Sequence, residues 1–173
     1  TKLNYNNERR FGFIKFYSYK KFKENSQLKF LGPEPLESTF NIDYFKNYIA
    51  GKKRSIKDIL MDQKFVSGIG NIYANEILFL SKVKPSRKAK NLKDFELKKI
   101  LKFTKKILKI SIKFGGSSIK DFFSENGKKG SFQQYFNVYG KKGKNCSNSD
   151  CKKKIEKIVI SNRATFFCPK CQK

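Results

Sequence analysis

Apolar and polar positions change their rhythm twice along the chain. Residues 3–17 read Leu-Asn-Tyr-Asn-Asn-Glu-Arg-Arg-Phe-Gly-Phe-Ile-Lys-Phe-Tyr, an aromatic-rich pattern around the polar pair Asn6-Asn7 that predicts strands on either side of a turn. Leu31-Gly32-Pro33-Glu34-Pro35-Leu36 follows, and its prolines interrupt regular structure, so a domain boundary is expected there. Beyond it the spacing is helical. Helices are expected over 42–50, over a short stretch at 58–62 with its polar side outward, over 72–80 as a buried segment, and over 92–114, where Leu97, Ile100, Leu101, Ile107 and Leu108 recur near the helical period. Asn91 is placed to cap the last of these and Gly115-Gly116 to close it. Residues 117–123 suggest a further helical turn, and 124–131 have loop chemistry. Short apolar runs at 155–160 and 165–167 then return to a strand pattern, with Ser161-Asn162-Arg163 at the tip between them. The fold class expected is mainly α with small β elements.

The junction between the second and third helices carries the first candidate chemistry. In Ser67-Gly68-Ile69-Gly70-Asn71, the glycines permit a tight backbone approach just before a helix whose first amides lack internal partners, an arrangement that binds a phosphate oxygen. Asn71 adds a side-chain amide, and Lys53 or Lys57 from the preceding basic stretch is placed to reach an adjoining phosphate. The same turn also suits a close crossing of packed helices. It lacks the Gly-Lys-Ser/Thr ending of a nucleotide P-loop, which disfavours ATP hydrolysis and a nucleotide cofactor.

The second candidate is a cysteine site. Cys146 and Cys151 are separated by four residues, Cys168 and Cys171 by two, and 16 residues lie between the pairs. Each pair can grip one ion from a tight turn, and the intervening length fits a β-hairpin between two knuckles. Four thiolates close the coordination of a zinc ion, so its role would be structural. A pair of disulfides is the alternative, disfavoured where no signal-peptide pattern opens the chain. The hairpin presents Arg163, whose fork matches phosphate, amid Lys152, Lys153, Lys154, Lys157 and Lys170.

Composition sharpens these readings. The 173 residues carry 40 Lys and Arg against 14 Asp and Glu, a net charge of +26, which points to an anionic partner. Lys, Asn, Ile and Phe are also what A/T-rich coding supplies without selection for charge. Only Arg9, Arg10, Arg54, Arg87 and Arg163 are arginine, so each is a candidate for planar, bidentate bonding. There is no His, which excludes Ser-His-Asp and Cys-His catalysis and any imidazole metal site. No stretch approaches the length of a membrane span, and the reading is a soluble, cytoplasmic protein.

Arg9-Arg10-Phe11-Gly12, Leu31-Gly32-Pro33-Glu34-Pro35-Leu36, Gly68-Ile69-Gly70-Asn71-Ile72-Tyr73-Ala74-Asn75-Glu76, Gly115-Gly116-Ser117-Ser118 and Asn162-Arg163-Ala164-Thr165-Phe166-Phe167-Cys168-Pro169-Lys170-Cys171 follow one another in an order that resembles the bacterial formamidopyrimidine-DNA glycosylases. The resemblance implies base-excision repair: flipping of 8-oxoguanine or a ring-opened purine from duplex DNA, cleavage of its glycosidic bond, then β,δ-elimination at the abasic site. It also implies the architecture. The carboxy-terminal part of a β-sandwich and its linker would occupy 1–36, a helix-two-turn-helix DNA-binding domain 37–135, and a four-cysteine zinc finger 136–173, with damaged double-stranded DNA as partner and a monomer as the working form. By the same resemblance Arg9 and Phe11 enter the duplex, Arg9 toward the orphaned base and Phe11 as a wedge that offsets part of the unstacking cost. Arg10 and Lys53 contact DNA, Lys57 and Asn71 grip the backbone near the lesion, and 124–132 close over the flipped base. Arg163 matches the arginine assigned to δ-elimination. A guanidinium is a poor proton donor, so a phosphate clamp is the first reading of it.

The resemblance has gaps. The family nucleophile is an amino-terminal proline followed by glutamate, with a further essential lysine in the β-sandwich, whereas this chain opens Thr1-Lys2 inside the expected hairpin. It is therefore expected to be cut from a longer enzyme and to bind DNA without the covalent chemistry. The four-residue spacing of the first cysteine pair is wider than the usual two. Two other classes stay open: a stand-alone, non-catalytic DNA-binding zinc-ribbon module, and an RNA-associated zinc ribbon, which leaves the Arg9 to Phe11 wedge unexplained.

Overall fold

The computed structural model describes Tyr5 and residues 12–18, 26–117 and 130–173. Arg9, Arg10, Phe11 and most of the expected closing loop lie outside these residues. Two units separate by their contacts, Thr1–Phe30 and Leu31–Lys173. In the first, residues 12–18 form no strand and are exposed, Phe16 to 91%, and a single helical turn, α1 (Ser26–Lys29), follows. The strand expected over 12–17 is thus not seen. An aromatic ribbon needs a second layer to cover it, and two strands alone are marginal in water.

The second unit starts at Leu31, ahead of the boundary expected after Leu36. The reason is close packing at Gly32. Its amide donates to Gln63 O at 2.7 Å, and a Cβ at this position would lie 2.5 Å from the Phe65 carbonyl group. The Pro33 carbonyl in turn accepts from Ser67 N at 3.1 Å, so the proline-rich segment is stitched to the helical unit.

Four further helices follow among the described residues: α2 (Ile42–Ile49), α3 (Ile56–Leu60), α4 (Asn71–Leu80) and α5 (Asp94–Lys113). Asn41 caps α2 by accepting from Tyr44 N at 2.9 Å, and Ser55 caps α3 by accepting from Asp58 N at 3.1 Å. Capping at Ser55 starts α3 before the expected 58–62. The core gathers Phe40, Phe45 and Phe65 with Ile56, Ile59, Leu60, Ile77, Leu78, Leu97 and Ile100. Burial of apolar area on this scale is the main favourable term in the fold.

Asn91 does not cap α5. It ends a separate 3-10 turn, Ala89–Asn91, and α5 begins at Asp94 with Glu96 reaching back to accept from Lys93 N at 2.9 Å. Arg87 draws this end of the helix in, bonding Glu96 and donating to Asn91 O at 3.1 Å. Gly115 and Gly116, both left-handed at φ 68° and 81°, close α5, with Gly116 N donating to Ser111 O at 2.9 Å. A 3-10 turn, Phe132–Tyr135, leads to the last region, where β1 (Glu156–Ile160) and β2 (Arg163–Phe167) pair antiparallel with Ile160 opposite Arg163. Among the described residues the fold is mainly helical with one small sheet. No helix among the described residues is long and apolar enough to cross a membrane.

Candidate nucleic-acid interface and metal centre

Ser161 and Asn162 form the two-residue hairpin tip, with φ 47° and 59°. Positive φ at both positions is the geometry that matches strand twist. Arg163 opens β2 from this tip and is exposed. Among the described residues it is the arginine whose guanidinium makes no hydrogen bond or ion pair. Arg54 is spent on Asp62, at 2.6 Å, and on Asp58 O, while Arg87 is spent on Glu96, Asn91 O and Lys173 O. Burial opposes ionisation of Asp62 and Glu96, yet these arginine bonds hold both carboxyls below their ordinary range.

The hairpin tip lies against the start of α4. Asn71 Nδ2 donates to Ala164 O at 3.0 Å, which places the residue after Arg163 in contact with the first residue of that helix. No side chain caps α4, whose N-cap is Gly70. Gly70 has ordinary extended backbone, and a Cβ there would meet nothing within 4 Å. The space before the helix amides is therefore open. Gly68 is the left-handed residue of the turn, at φ 76°, held by its amide to Gln63 Oε1 at 2.8 Å. Lys53 is exposed on the loop entering α3. Lys57 is not available to a phosphate: it is 0% exposed, with its ammonium on Thr165 Oγ1 at 2.7 Å and Ala164 O at 3.2 Å. Burial pulls its pKa down to about 8, opposed by Asp58 and reinforced by Arg163.

The four cysteines converge. Their sulfurs all lie within 4.8 Å of one another, with Cys151 and Cys168 at 3.6 Å and Cys146 and Cys171 at 3.8 Å. Tetrahedral zinc, with Zn–S bonds of about 2.3 Å, sets its sulfurs about 3.8 Å apart, so the set fits one closed zinc site. The wider first knuckle is accommodated by a turn in which Cys151 N donates to Asn148 O at 2.9 Å. Burial pushes the Cys146 thiol up to about 12, a penalty that coordination by a dication removes.

Buried polar groups that the sequence reading missed join this centre to the helices. Glu76 accepts from Asn137 N, Val138 N and Tyr139 N at 2.8 to 2.9 Å and from Asn137 Nδ2 at 3.0 Å. Asn75 Oδ1 accepts from Phe166 N at 2.7 Å, and Gln172 bridges Cys168 N, at 2.8 Å, to Val83 O, at 2.9 Å. The signal was present in Asn75-Glu76, polar residues inside the apolar run of α4.

Comparison with known proteins bears on what this arrangement serves. Residues 31–123 match the model of the formamidopyrimidine-DNA glycosylase H2TH domain, and residues 144–173 match the zinc finger found in FPG and IleRS. The chain belongs to the formamidopyrimidine-DNA glycosylase family. It is 43% identical over 171 residues to the formamidopyrimidine-DNA glycosylase of Hydrogenovibrio crunogenus, covering 99% of this chain and 60% of that one. With the enzyme of that name from Listeria monocytogenes serovar 1/2a the identity is 41% over 173 residues, covering 100% and 63%. This chain thus spans under two thirds of the length of these formamidopyrimidine-DNA glycosylases. Among solved structures of the family, MutM (Fpg) from Thermus thermophilus superposes with a TM-score of 0.80 at 35% identity, over 87% of this chain and 57% of that one. Lactococcus lactis Fpg in complex with abasic-site DNA gives 0.82 at 35%, over 91% and 57%.

Proposed function

We propose that this chain supplies the strand-gripping part of a DNA glycosylase and abasic-site lyase that removes oxidised purines, 8-oxoguanine and formamidopyrimidines, and cleaves the abasic strand by β,δ-elimination. The observation that carries the reading is the pairing of an unspent Arg163 with the uncapped start of α4, joined through Ala164 O and Asn71 at 3.0 Å. A guanidinium and helix amides side by side suit consecutive phosphates of one strand. Lys53 adds charge from the neighbouring loop. Arg9, Arg10 and Phe11 are assigned the orphan base, the backbone and the wedge, and 124–132 the cover over the flipped base, all by family resemblance. Zinc holds the hairpin that presents Arg163 and takes no part in the chemistry.

Arg163 acts first as a phosphate clamp in this reading. The chain spans under two thirds of the length of the glycosylases it matches, and in this reading the glycosylase and lyase steps belong to a longer, monomeric parent. The test compares the zinc-loaded chain on three probes by fluorescence anisotropy: a duplex with a tetrahydrofuran abasic analogue, the undamaged duplex, and an RNA duplex. Tightest binding to the abasic analogue is expected, with loss of about tenfold or more on Arg163→Ala, the scale of one charge-assisted phosphate bond. Equal affinity for RNA would favour the RNA-associated alternative. Borohydride trapping on abasic DNA should give a covalent adduct with the parent and none with this chain; trapping by the chain itself would overturn the division of labour.

A further inference from the structure

The residues that fix Arg163 are not on its own strand alone. Three side chains from the helical region close on the backbone immediately after it. Lys57 Nζ, from α3, donates to Ala164 O at 3.2 Å and Thr165 Oγ1 at 2.7 Å. Asn71 Nδ2, at the start of α4, donates to the same Ala164 carbonyl at 3.0 Å. Asn75, one turn on, accepts from Phe166 N at 2.7 Å and returns its amide to Asn71 O at 2.6 Å. Thr165 Oγ1 in turn donates to Arg163 O at 3.1 Å. The directions are consistent: an ammonium only donates, the hydroxyl has one proton to give, and that proton goes to Arg163. A relay of bonds therefore runs from the Lys57 ammonium through Thr165 to the main chain of Arg163.

Resting on the strand-gripping function proposed above, we propose that Lys57 is a positioning residue for Arg163, its buried ammonium fixing where the guanidinium stands relative to the start of α4. Direct phosphate contact is closed to it, because the side chain is 0% exposed and its head is committed to the hairpin. An aliphatic residue would fill the same space without the desolvation of a charge, so packing alone gives no reason for a cation. Hydrogen bonding to Ala164 and Thr165 does. A contact between a planar fork and a phosphate depends on angle as well as distance, and a two-strand ribbon is too slight to hold its tip unaided. The helical region supplies the missing stiffness through one carbonyl shared by two donors.

The experiment is a double-mutant cycle on the zinc-loaded chain, read as affinity for the duplex with the tetrahydrofuran abasic analogue. Lys57→Met is expected to weaken binding about threefold to tenfold, within the coupling energies of groups sharing one network. In the Arg163→Ala background the same change should alter affinity less than about twofold, since nothing is left to position. Thr165→Val, which keeps the shape and removes the relay, should repeat both results. It carries the test if Lys57→Met fails to retain one zinc per chain. Equal losses in the two backgrounds, or no loss from either Lys57→Met or Thr165→Val while Arg163→Ala does weaken binding, would overturn the inference. No loss from Arg163→Ala would instead overturn the strand-gripping function on which it rests.

Discussion

A lysine ammonium buried beside a second cation sits where the neutral form is favoured, and Lys57 shows the sign of that. Its pKa falls from 10.5 to about 8, chiefly through burial, with Asp58 opposing and the Arg163 charge reinforcing the fall. Below the folded-state value both the folded and unfolded chains bind the proton, and stability does not depend on this group's titration. Between about 8 and 10.5 the unfolded chain holds a proton that the folded chain has released, so stability rises with pH in that window. The rise has a ceiling of about 3 kcal/mol, from about 1.36 kcal/mol for each unit of displacement. Urea unfolding of the chain and of Lys57→Met at about pH 7 and about pH 10.5 should show it as a difference: relative to the variant, the unsubstituted chain gains stability on going up in pH. A gap that stays constant would mean the ammonium is solvated. In the sequence Lys57 belongs to a basic run, and a basic run is usually a solvated face. What turns the side chain inward is a carbonyl and a hydroxyl presented by a strand 107 and 108 residues away, which no local pattern contains.

At the scale of elements, the hairpin illustrates how little a short ribbon can do alone. Its register runs from Glu156 opposite Phe167 to Ile160 opposite Arg163, and it shares a small apolar cluster with Phe79, Leu80, Val138, Tyr139 and Ile155. Zinc and the bonds that Lys57, Asn71 and Asn75 make to Ala164, Thr165 and Phe166 supply the rest. Chelation of the metal is therefore expected to melt the hairpin while leaving the helical far-UV signal of α2 to α5 largely in place, and to remove tight DNA binding in the same step. Loss of binding with the hairpin amide signals intact would contradict this order. The zinc ligands and strand positions were legible because cysteine spacing and a short apolar run are local signals. So were α2, α4 and the close of α5, where a cap or a glycine pair marks the boundary. The start of α5 is not legible at Asn91 because Glu96, held by Arg87, closes back on Lys93 N and sets the boundary at Asp94. The strand over 12–17 fails for a different reason: its aromatic residues are exposed, Phe16 to 91%, and a ribbon left uncovered is marginal in water.

For the whole molecule the question is how much of a net charge of +26 reaches the ligand. Counterion release counts contacts, not total charge, so log K against log salt falls with a slope of about 0.9 for each phosphate neutralised. The described arginines divide cleanly on this point. Arg54 and Arg87 close internal ion pairs with Asp62 and Glu96, and only Arg163 is left outside such a pair. Arg163→Ala and Lys53→Gln are each expected to flatten the salt dependence of DNA binding by about 0.9, and together by about twice that. Arg54→Gln and Arg87→Gln should leave the slope unchanged while lowering the melting temperature, because each removes one partner of a half-buried pair and leaves the other uncompensated. Titrations from about 50 to about 300 mM salt, the kind of range over which such slopes are read, separate the outcomes. A uniform slope change for every removed cation, inside or outside the proposed contact, would mean that the excess lysine acts as a diffuse field and that the hairpin tip has no privileged place on the strand. A change confined to Arg163 and Lys53 would tie binding to the small face where α4 and the zinc ribbon meet.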